Sequence, residues 1–117
     1  MHRFFRLAAP SCLVLLAILS WLPANEMIRT GVDGRIEHFI AYMSTTLFVL
    51  AAYSLRLRPG NLTVMLIGYA GILELGQYFS PGRHPSLVDF AASSLGVTAG
   101  AALFQLVYQL SRSAEER

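Results

Sequence analysis

Four apolar stretches, separated by short segments that contain proline and glycine, constrain this chain more than any other feature. They cover about residues 4–22, 36–55, 62–79 and 87–110. Each stretch has close to the ~20 residues that an α-helix needs to cross the hydrocarbon core of a bilayer. The sequence therefore predicts an all-α fold, an integral membrane four-helix bundle, formed by a single domain that covers residues 1–117.

The composition supports a membrane location and argues against several soluble classes. Of the 117 residues, 55% are hydrophobic and 14% are charged. Soluble domains carry roughly 25% charged residues, so a soluble fold of this composition would expose too much apolar surface. All nine basic residues are arginine and the net charge is +2, without the dense basic stripe of a nucleic-acid-binding protein. The single Cys12 excludes a disulfide within one chain.

The first apolar stretch could also be a signal peptide. Arg3 and Arg6 precede it, and the sequence at residues 22–24, Leu-Pro-Ala, could form a cleavage site. Leucine is too bulky three residues before a cleavage point, and the apolar run exceeds the ~7–15 residues of a signal core. We therefore expect an uncleaved first helix, whereas cleavage after Ala24 would leave three helices.

The distribution of arginine predicts the orientation of the helices. With a cytoplasmic N-terminus, the inner side carries Arg3, Arg6, Arg56, Arg58, Arg112 and Arg117, and the outer side carries Arg29, Arg35 and Arg83. The excess of arginine on cytoplasmic loops then favours N-in and C-in. We expect a multi-pass protein of the inner (cytoplasmic) membrane, with the loops around Asp33 and Arg83 facing outward.

Polar side chains lie at the predicted outer ends of three helices. A charged group in the centre of a bilayer costs at least ~2.5–3.5 kcal/mol, so such groups are expected to face one another or a ligand. The candidate cluster consists of His38, Glu74, Gln77, Arg83, Asp89 and Ser93. Helical spacing also predicts one face that carries Gly71, Glu74, Gln77 and Tyr78, and another that carries Asp89, Ser93, Gly96 and Gly100.

Individual roles within this cluster follow from residue chemistry. Arg83 and Asp89 could form an ion pair that fixes the third loop, and Asp89 would also complement the N-terminus of the fourth helix. A buried Glu74 would be either protonated or paired with a cation such as Arg83 or His38. Gln77 is predicted to orient Glu74 by a hydrogen bond, while Trp21 and most of the tyrosines are assigned to packing or to the membrane interface.

The glycines of the fourth helix form a GxxxG pattern, Gly96 and Gly100. Small residues at this spacing allow two helices to approach closely. They predict either a close neighbour within the bundle or a helix of a partner chain.

One segment closely resembles the signature of the VanZ-like membrane proteins. It reads ExxQxFxPGRxxSxxD from Glu74 to Asp89, and the likeness extends to Gly96 and, upstream, to the HFIAY that begins at His38. The resemblance covers roughly residues 33–103. It implies a small multi-helix protein of the bacterial cell envelope, in a family whose founding member lowers sensitivity to the glycopeptide antibiotic teicoplanin and whose relatives accompany exopolysaccharide genes.

Two positions depart from the family pattern. The family usually has an Asp-Lys pair ahead of the histidine, where this chain has Asp33 and Arg35 separated by Gly34. It commonly has asparagine four residues after the aspartate, where this chain has Ser93, a shorter group with one hydroxyl. Either change could alter the choice of ligand.

Three classes of function remain open from the sequence. The favoured class is a non-enzymatic envelope factor that binds an anionic or glycan-bearing lipid headgroup, or a glycopeptide. Arg83 would contact the anionic group, and Glu74, Gln77 and Asp89 would be hydrogen-bond partners. The second is an integral-membrane hydrolase or transferase with Glu74 as general base. The third is a structural assembly subunit whose GxxxG contacts a partner helix.

No cofactor fingerprint or nucleophile elbow is present, and Arg83 would repel a metal ion from the cluster. The expected partners are membrane lipids and envelope glycolipids or glycopeptides, not nucleic acid.

Overall fold

The computed structural model describes residues 1–27 and 30–117. Within these residues the chain forms four long helices and no strand. The helices are α1 (His2–Trp21), α2 (Gly34–Tyr53), α3 (Pro59–Gly76) and α4 (Leu87–Glu115), with short 3₁₀ turns at Ala24–Glu26 and Gln77–Phe79. All four long helices are long and apolar enough to cross a membrane, which confirms the all-helical prediction and indicates a multi-pass membrane protein. Arg29, one of the arginines used to predict orientation, lies outside the described residues.

Helix starts are set by capping residues. Asp33 caps α2, where its carboxylate accepts a hydrogen bond from the Arg35 backbone N–H at 2.8 Å. Ser86 caps α4, where its hydroxyl accepts from the Asp89 backbone N–H at 3.3 Å. Helix α3 begins at Pro59, whereas the sequence predicted a Pro-Gly turn followed by a helix from residue 62. That prediction is wrong because the fixed φ and missing N–H of proline suit the first position of a helix.

Two helix ends also differ from prediction. Helix α4 runs to Glu115, five residues beyond the predicted end at residue 110, and Arg112 pairs with Glu116 at 3.7 Å one turn later. Helix α3 ends at Gly76, and the tighter 3₁₀ turn that follows rotates Tyr78 outward, where it is 76% exposed. The prediction that Tyr78 shares the face of Glu74 is therefore wrong.

Helices α2 and α4 form the most extensive contact of the bundle. α1 packs mainly on α2, and α3 packs mainly on α4. A Cβ atom added to Gly96 would overlap the backbone of Phe39, and one added to Gly100 would lie 2.8 Å from the carbonyl oxygen of Met43. The close neighbour of the GxxxG is thus α2 of the same chain. Both glycines are buried in this contact within the chain.

The bundle has two unlike ends. The connections at residues 22–33 and 77–86 bond to each other at one end, which we call the two-loop end. The termini and the connection at residues 54–58 lie at the opposite end, since the four helices alternate in direction. All six candidate site residues lie in the half of the molecule next to the two-loop end.

Candidate functional site

The two loops of the two-loop end are joined by two hydrogen bonds. The Ser80 hydroxyl donates to the Trp21 carbonyl oxygen at 2.9 Å, and the Ala24 backbone N–H donates to the Pro81 carbonyl oxygen at 3.1 Å. Gly82 has a φ of +74°, and a Cβ atom there would lie 2.9 Å from the Cβ of Ala24. Glycine at this position therefore permits both the turn and the close approach of the loops. Arg83 follows directly and is positioned by this turn.

Trp21 fastens the end of α1 to the end of α3. Its indole Nε1–H donates to the Leu73 carbonyl oxygen at 3.1 Å. A Cβ atom at Gly76 would overlap the indole ring, so glycine gives the ring its place. Trp21 was assigned from the sequence to the general class of packing and interface aromatics, and the structure gives it a specific contact.

Glu74 is buried and bonds to the start of α4. Its side chain is 7% exposed, and its Oε1 accepts a hydrogen bond from the Ser86 backbone N–H at 2.8 Å. Because Ser86 also caps α4, Glu74 and Ser86 together fix where α4 leaves the loop. Glu74 is the residue that couples the end of α3 to the beginning of α4.

The other charged members of the predicted cluster are in the same half of the bundle as Glu74. His38 lies in the first turns of α2, Asp89 lies in the first turn of α4, and Arg83 lies in the loop between α3 and α4. None of these side chains hydrogen-bonds to Glu74, however, so the cluster is held by separate partners and is not one bonded network.

His38 and Ser93 form the contact between α2 and α4 in this region. The His38 Nδ1 and the Ser93 Oγ are 3.2 Å apart and share a hydrogen bond. Ser93 is 2% exposed and lies one turn before Gly96. Because Gly96 lets the two backbones approach, the short serine side chain reaches the histidine ring.

Three predicted contacts within the cluster are absent from the described residues. Gln77 is 3% exposed and makes no side-chain hydrogen bond there, so it does not orient Glu74 as expected. Across residues 1–27 and 30–117 the only ion pair joins Arg112 and Glu116. The predicted ion pair of Arg83 with Asp89 is therefore wrong, and so is a pairing of Arg83 with Glu74. The turn at Gly82 instead directs the Arg83 guanidinium to the sulfur of Met27.

Arg83 lines a cleft between α1 and α2 that sequence reasoning missed. The cleft has a volume of about 520 Å³. Its lining is formed by Leu16, Leu19, Ser20, Leu22, Met27, Thr30, Val32, Glu37, His38, Ile40, Ala41, Tyr42 and Arg83. The wall along the helices is mostly apolar, while Arg83, Glu37 and Thr30 come from the two-loop end. The sequence carried a signal for it, since Glu37 and His38 adjoin an apolar helix face, but the separation of α1 from α2 cannot be read from a periodic pattern.

The polar groups of this cleft have different partners. The Glu37 Oε1 accepts a hydrogen bond from the Thr30 hydroxyl. Within residues 1–27 and 30–117, the guanidinium of Arg83 has one hydrogen-bond partner, the weakly accepting sulfur of Met27. The cleft thus presents a cation without a carboxylate partner and, also in its lining, a carboxylate that still has acceptor capacity.

The geometry favours binding over catalysis. Ser93 and His38 have the residue types of a nucleophile and its base, but Ser93 is enclosed between α2 and α4. Glu74 is equally enclosed, and one of its oxygens is occupied by Ser86. In the described part of the chain, no group of three or more His, Cys, Asp and Glu side chains is arranged to hold a metal ion. The accessible chemistry of the site is that of Arg83, Glu37 and the cleft.

No protein-family model matches the chain, and no curated protein or solved structure is significantly similar to it. The site itself therefore has to support any functional conclusion.

Proposed function

We propose that this chain is a VanZ-like integral membrane protein of the bacterial cell envelope. The support is the run of polar positions from Glu74 to Asp89, with its upstream extension at His38. In this proposal both termini are cytoplasmic, as the distribution of arginine favours. The two-loop end then faces outward from the inner membrane, where envelope precursors and externally added antibiotics are accessible.

Its proposed role is to bind the anionic or glycan-bearing headgroup of an envelope amphiphile, or a glycopeptide such as teicoplanin. The observation that carries this role is the Arg83 guanidinium, which has no carboxylate partner in the described residues and lines a cleft. A guanidinium presents donors in a planar fork that matches phosphate and carboxylate groups. A charge-assisted hydrogen bond of this kind is roughly twice as strong as a neutral one.

Three other members of the cluster hold the helices around this site in position. Glu74 holds the start of α4 through Ser86, and His38 holds α4 against α2 through Ser93. These contacts set the distance between the helix ends and the loop that carries Arg83. In this role Glu74 and Ser93 position the binding residue and do not touch the ligand.

Two alternatives make different demands on the same residues. A hydrolase or transferase needs Glu74 to reach a substrate, although its side chain is 7% exposed. An assembly subunit needs a free helix face, and α1 has one, because Leu7, Val14 and Ile18 are exposed. A turnover assay on any ligand that binds would identify the first, and cross-linking from α1 would identify the second.

The test combines a binding screen with a growth assay. Purified protein is screened against envelope lipids, lipid-linked glycans and glycopeptides, and teicoplanin sensitivity is compared in host cells that express each variant. Arg83→Gln should abolish binding and any change in sensitivity, whereas Arg35→Gln, at the same end but outside the cleft, should leave both intact. Equal behaviour of the two variants at equal expression would contradict the proposal.

A further inference from the structure

We infer that the cleft between α1 and α2 seats the acyl chain of a phospholipid whose phosphate meets Arg83 and whose headgroup donates hydrogen bonds to Glu37. This inference rests on the proposed function, since it names the ligand class of the same site. It adds a second binding element, the apolar wall, to a site that the sequence defined only by its polar residues.

The shape of the cleft requires a ligand with an apolar part. Its volume of about 520 Å³ lies within the ~300–1,000 Å³ that is typical of ligand sites. Leu16, Leu19 and Ile40 form much of its wall, and the hydrophobic effect favours covering such a wall with hydrocarbon. A soluble headgroup or a free phosphate would occupy only the end near Arg83 and would leave this wall uncovered.

The charges of the cleft select the headgroup. Arg83 offers donors to a phosphate diester. Glu37 keeps acceptor sites beyond the one that Thr30 occupies, so it favours a headgroup with hydroxyl or ammonium donors. A glycerol or ethanolamine headgroup provides such donors, whereas a choline headgroup has none. A glycerol or ethanolamine phospholipid can therefore accept hydrogen bonds from Arg83 and donate them to Glu37 at the same time.

The cleft is also reached from the side that a bilayer would cover. Leu19 is 40% exposed and Ile40 is 50% exposed, and these residues stand on the α1 and α2 sides of the cleft. An acyl chain can therefore enter laterally between the two helices. Such a path requires no opening of the contacts that join the two loops.

Native mass spectrometry of the purified full chain in detergent provides the test. The protein is incubated with dioleoyl phosphatidylglycerol, phosphatidylethanolamine and phosphatidylcholine in turn, and the retained lipid is counted. We expect the first two lipids to be retained and phosphatidylcholine to be lost. Arg83→Gln should lose the retained lipid, and Ile40→Trp, which fills the cleft, should lose it as well.

Matched controls separate effects on the cleft from effects of lost charge or of an added tryptophan elsewhere. Arg35→Gln removes a charge from the same end without altering the cleft lining, and Ile72→Trp places the same residue on an exposed face of α3, where Ile72 is 63% exposed. Both should retain lipid like the parent chain. Circular dichroism checks folding, and Leu19→Trp replaces Ile40→Trp if the latter fails to fold.

The outcomes distinguish this inference from the proposed function. If Arg83→Gln loses lipid but both cleft-filling variants retain it, and glycerol phosphate competes it away, a headgroup site exists and the acyl-chain seat is wrong. Retention of phosphatidylcholine equal to the other two lipids would overturn the role of Glu37. If Arg83→Gln retains lipid as the parent chain does, both the phospholipid site inferred for the cleft and the proposed headgroup site at Arg83 are wrong.

Discussion

Helix α4 meets α2 through glycine and short polar side chains, whereas α1 meets the bundle through large side chains and only loosely along its length. Gly96 and Gly100 bring the α4 backbone against α2, and the His38–Ser93 hydrogen bond lies beside them. In α1 only Ala9 and Leu16 are buried. The two contacts are therefore stabilised differently. The α2–α4 contact depends on close approach of the backbones, whereas the contact of α1 depends on a few individual side chains.

This difference assigns separate tasks to the two contacts. The α2–α4 contact is a closely packed support, because Gly96 and Gly100 leave no room for a side chain between the two helices. Helix α1 packs mainly on α2, and two hydrogen bonds fasten it to α3: Trp21 donates to the Leu73 carbonyl oxygen, and the Tyr69 hydroxyl donates to the Leu13 carbonyl oxygen. The cleft lies between α1 and α2 on the side of Leu16 and Leu19. A binding site that opens to the bilayer is thus located beside α1, the long helix with the fewest buried residues.

The largest expected effect comes from a break in the α2–α4 support. Gly96→Leu forces a side chain into the Phe39 backbone. We expect it to lower the free energy of unfolding by at least the ~1–3 kcal/mol typical of an overpacked core, because backbone cannot move aside as a side chain can. Thermal unfolding in detergent measures this.

Gly68→Leu is the matched control for that change. Gly68 also lies in a membrane helix, but a Cβ atom there meets nothing within 4 Å. Its unfolding temperature should stay near that of the parent chain. Equal destabilisation by the two leucines would show that α4 does not depend on close approach to α2.

Glu74 provides the second test, because it links the closely packed support to the loop. Glu74→Ala leaves the part-buried Ser86 N–H without its acceptor, which costs up to about 1–3 kcal/mol. Glu74→Gln keeps an oxygen in place and should be milder. Thermal unfolding of the pair measures the difference, and equal effects would mean that the Ser86 contact contributes nothing to stability.

Trp21 tests the weaker contact. Trp21→Phe removes the hydrogen bond to the Leu73 carbonyl oxygen and should cost about 0.5–1.5 kcal/mol. Hydrogen exchange should then increase in the last turns of α1 while the α2–α4 contact stays protected. Uniform exchange throughout the bundle would mean that α1 is not an independently anchored element.

The smallest effect is expected for Arg112, far from both contacts. Its ion pair with Glu116 has side chains that are 63% and 72% exposed, at 3.7 Å. Exposed pairs contribute little, so Arg112→Gln should change the free energy of unfolding by less than ~0.5 kcal/mol. A larger loss in thermal unfolding would imply that the end of α4 packs against something else.

Much of the fold could be predicted because hydrophobic length and turn residues act locally. The four helices and the position of Asp89 at the start of α4 follow from such local signals. The start of α3 at Pro59 was missed because a Pro-Gly pair suits a turn as well as a first helical turn. The outward rotation of Tyr78 was missed because it depends on a 3₁₀ turn within an otherwise helical pattern.

The site was predicted less completely because it depends on relations between helices. Residue chemistry gathered His38, Glu74, Arg83 and Asp89 at one end, and all four lie in the half of the bundle next to the two-loop end. It could not tell that Arg83 faces Met27 and the cleft rather than a carboxylate. That outcome is decided by the turn at Gly82 and by the position of α1, which no periodicity encodes.

The two-loop end must face outward if the proposed binding role is correct, and cysteine labelling in intact cells tests this most directly. In a Cys12→Ser background, single cysteines are placed at exposed positions by Asn25→Cys and Ser113→Cys. A membrane-impermeant maleimide should label the first in intact cells and the second only after permeabilisation. Labelling of Ser113→Cys from outside, with Asn25→Cys protected, would contradict the orientation and with it the proposed access of external ligands to Arg83.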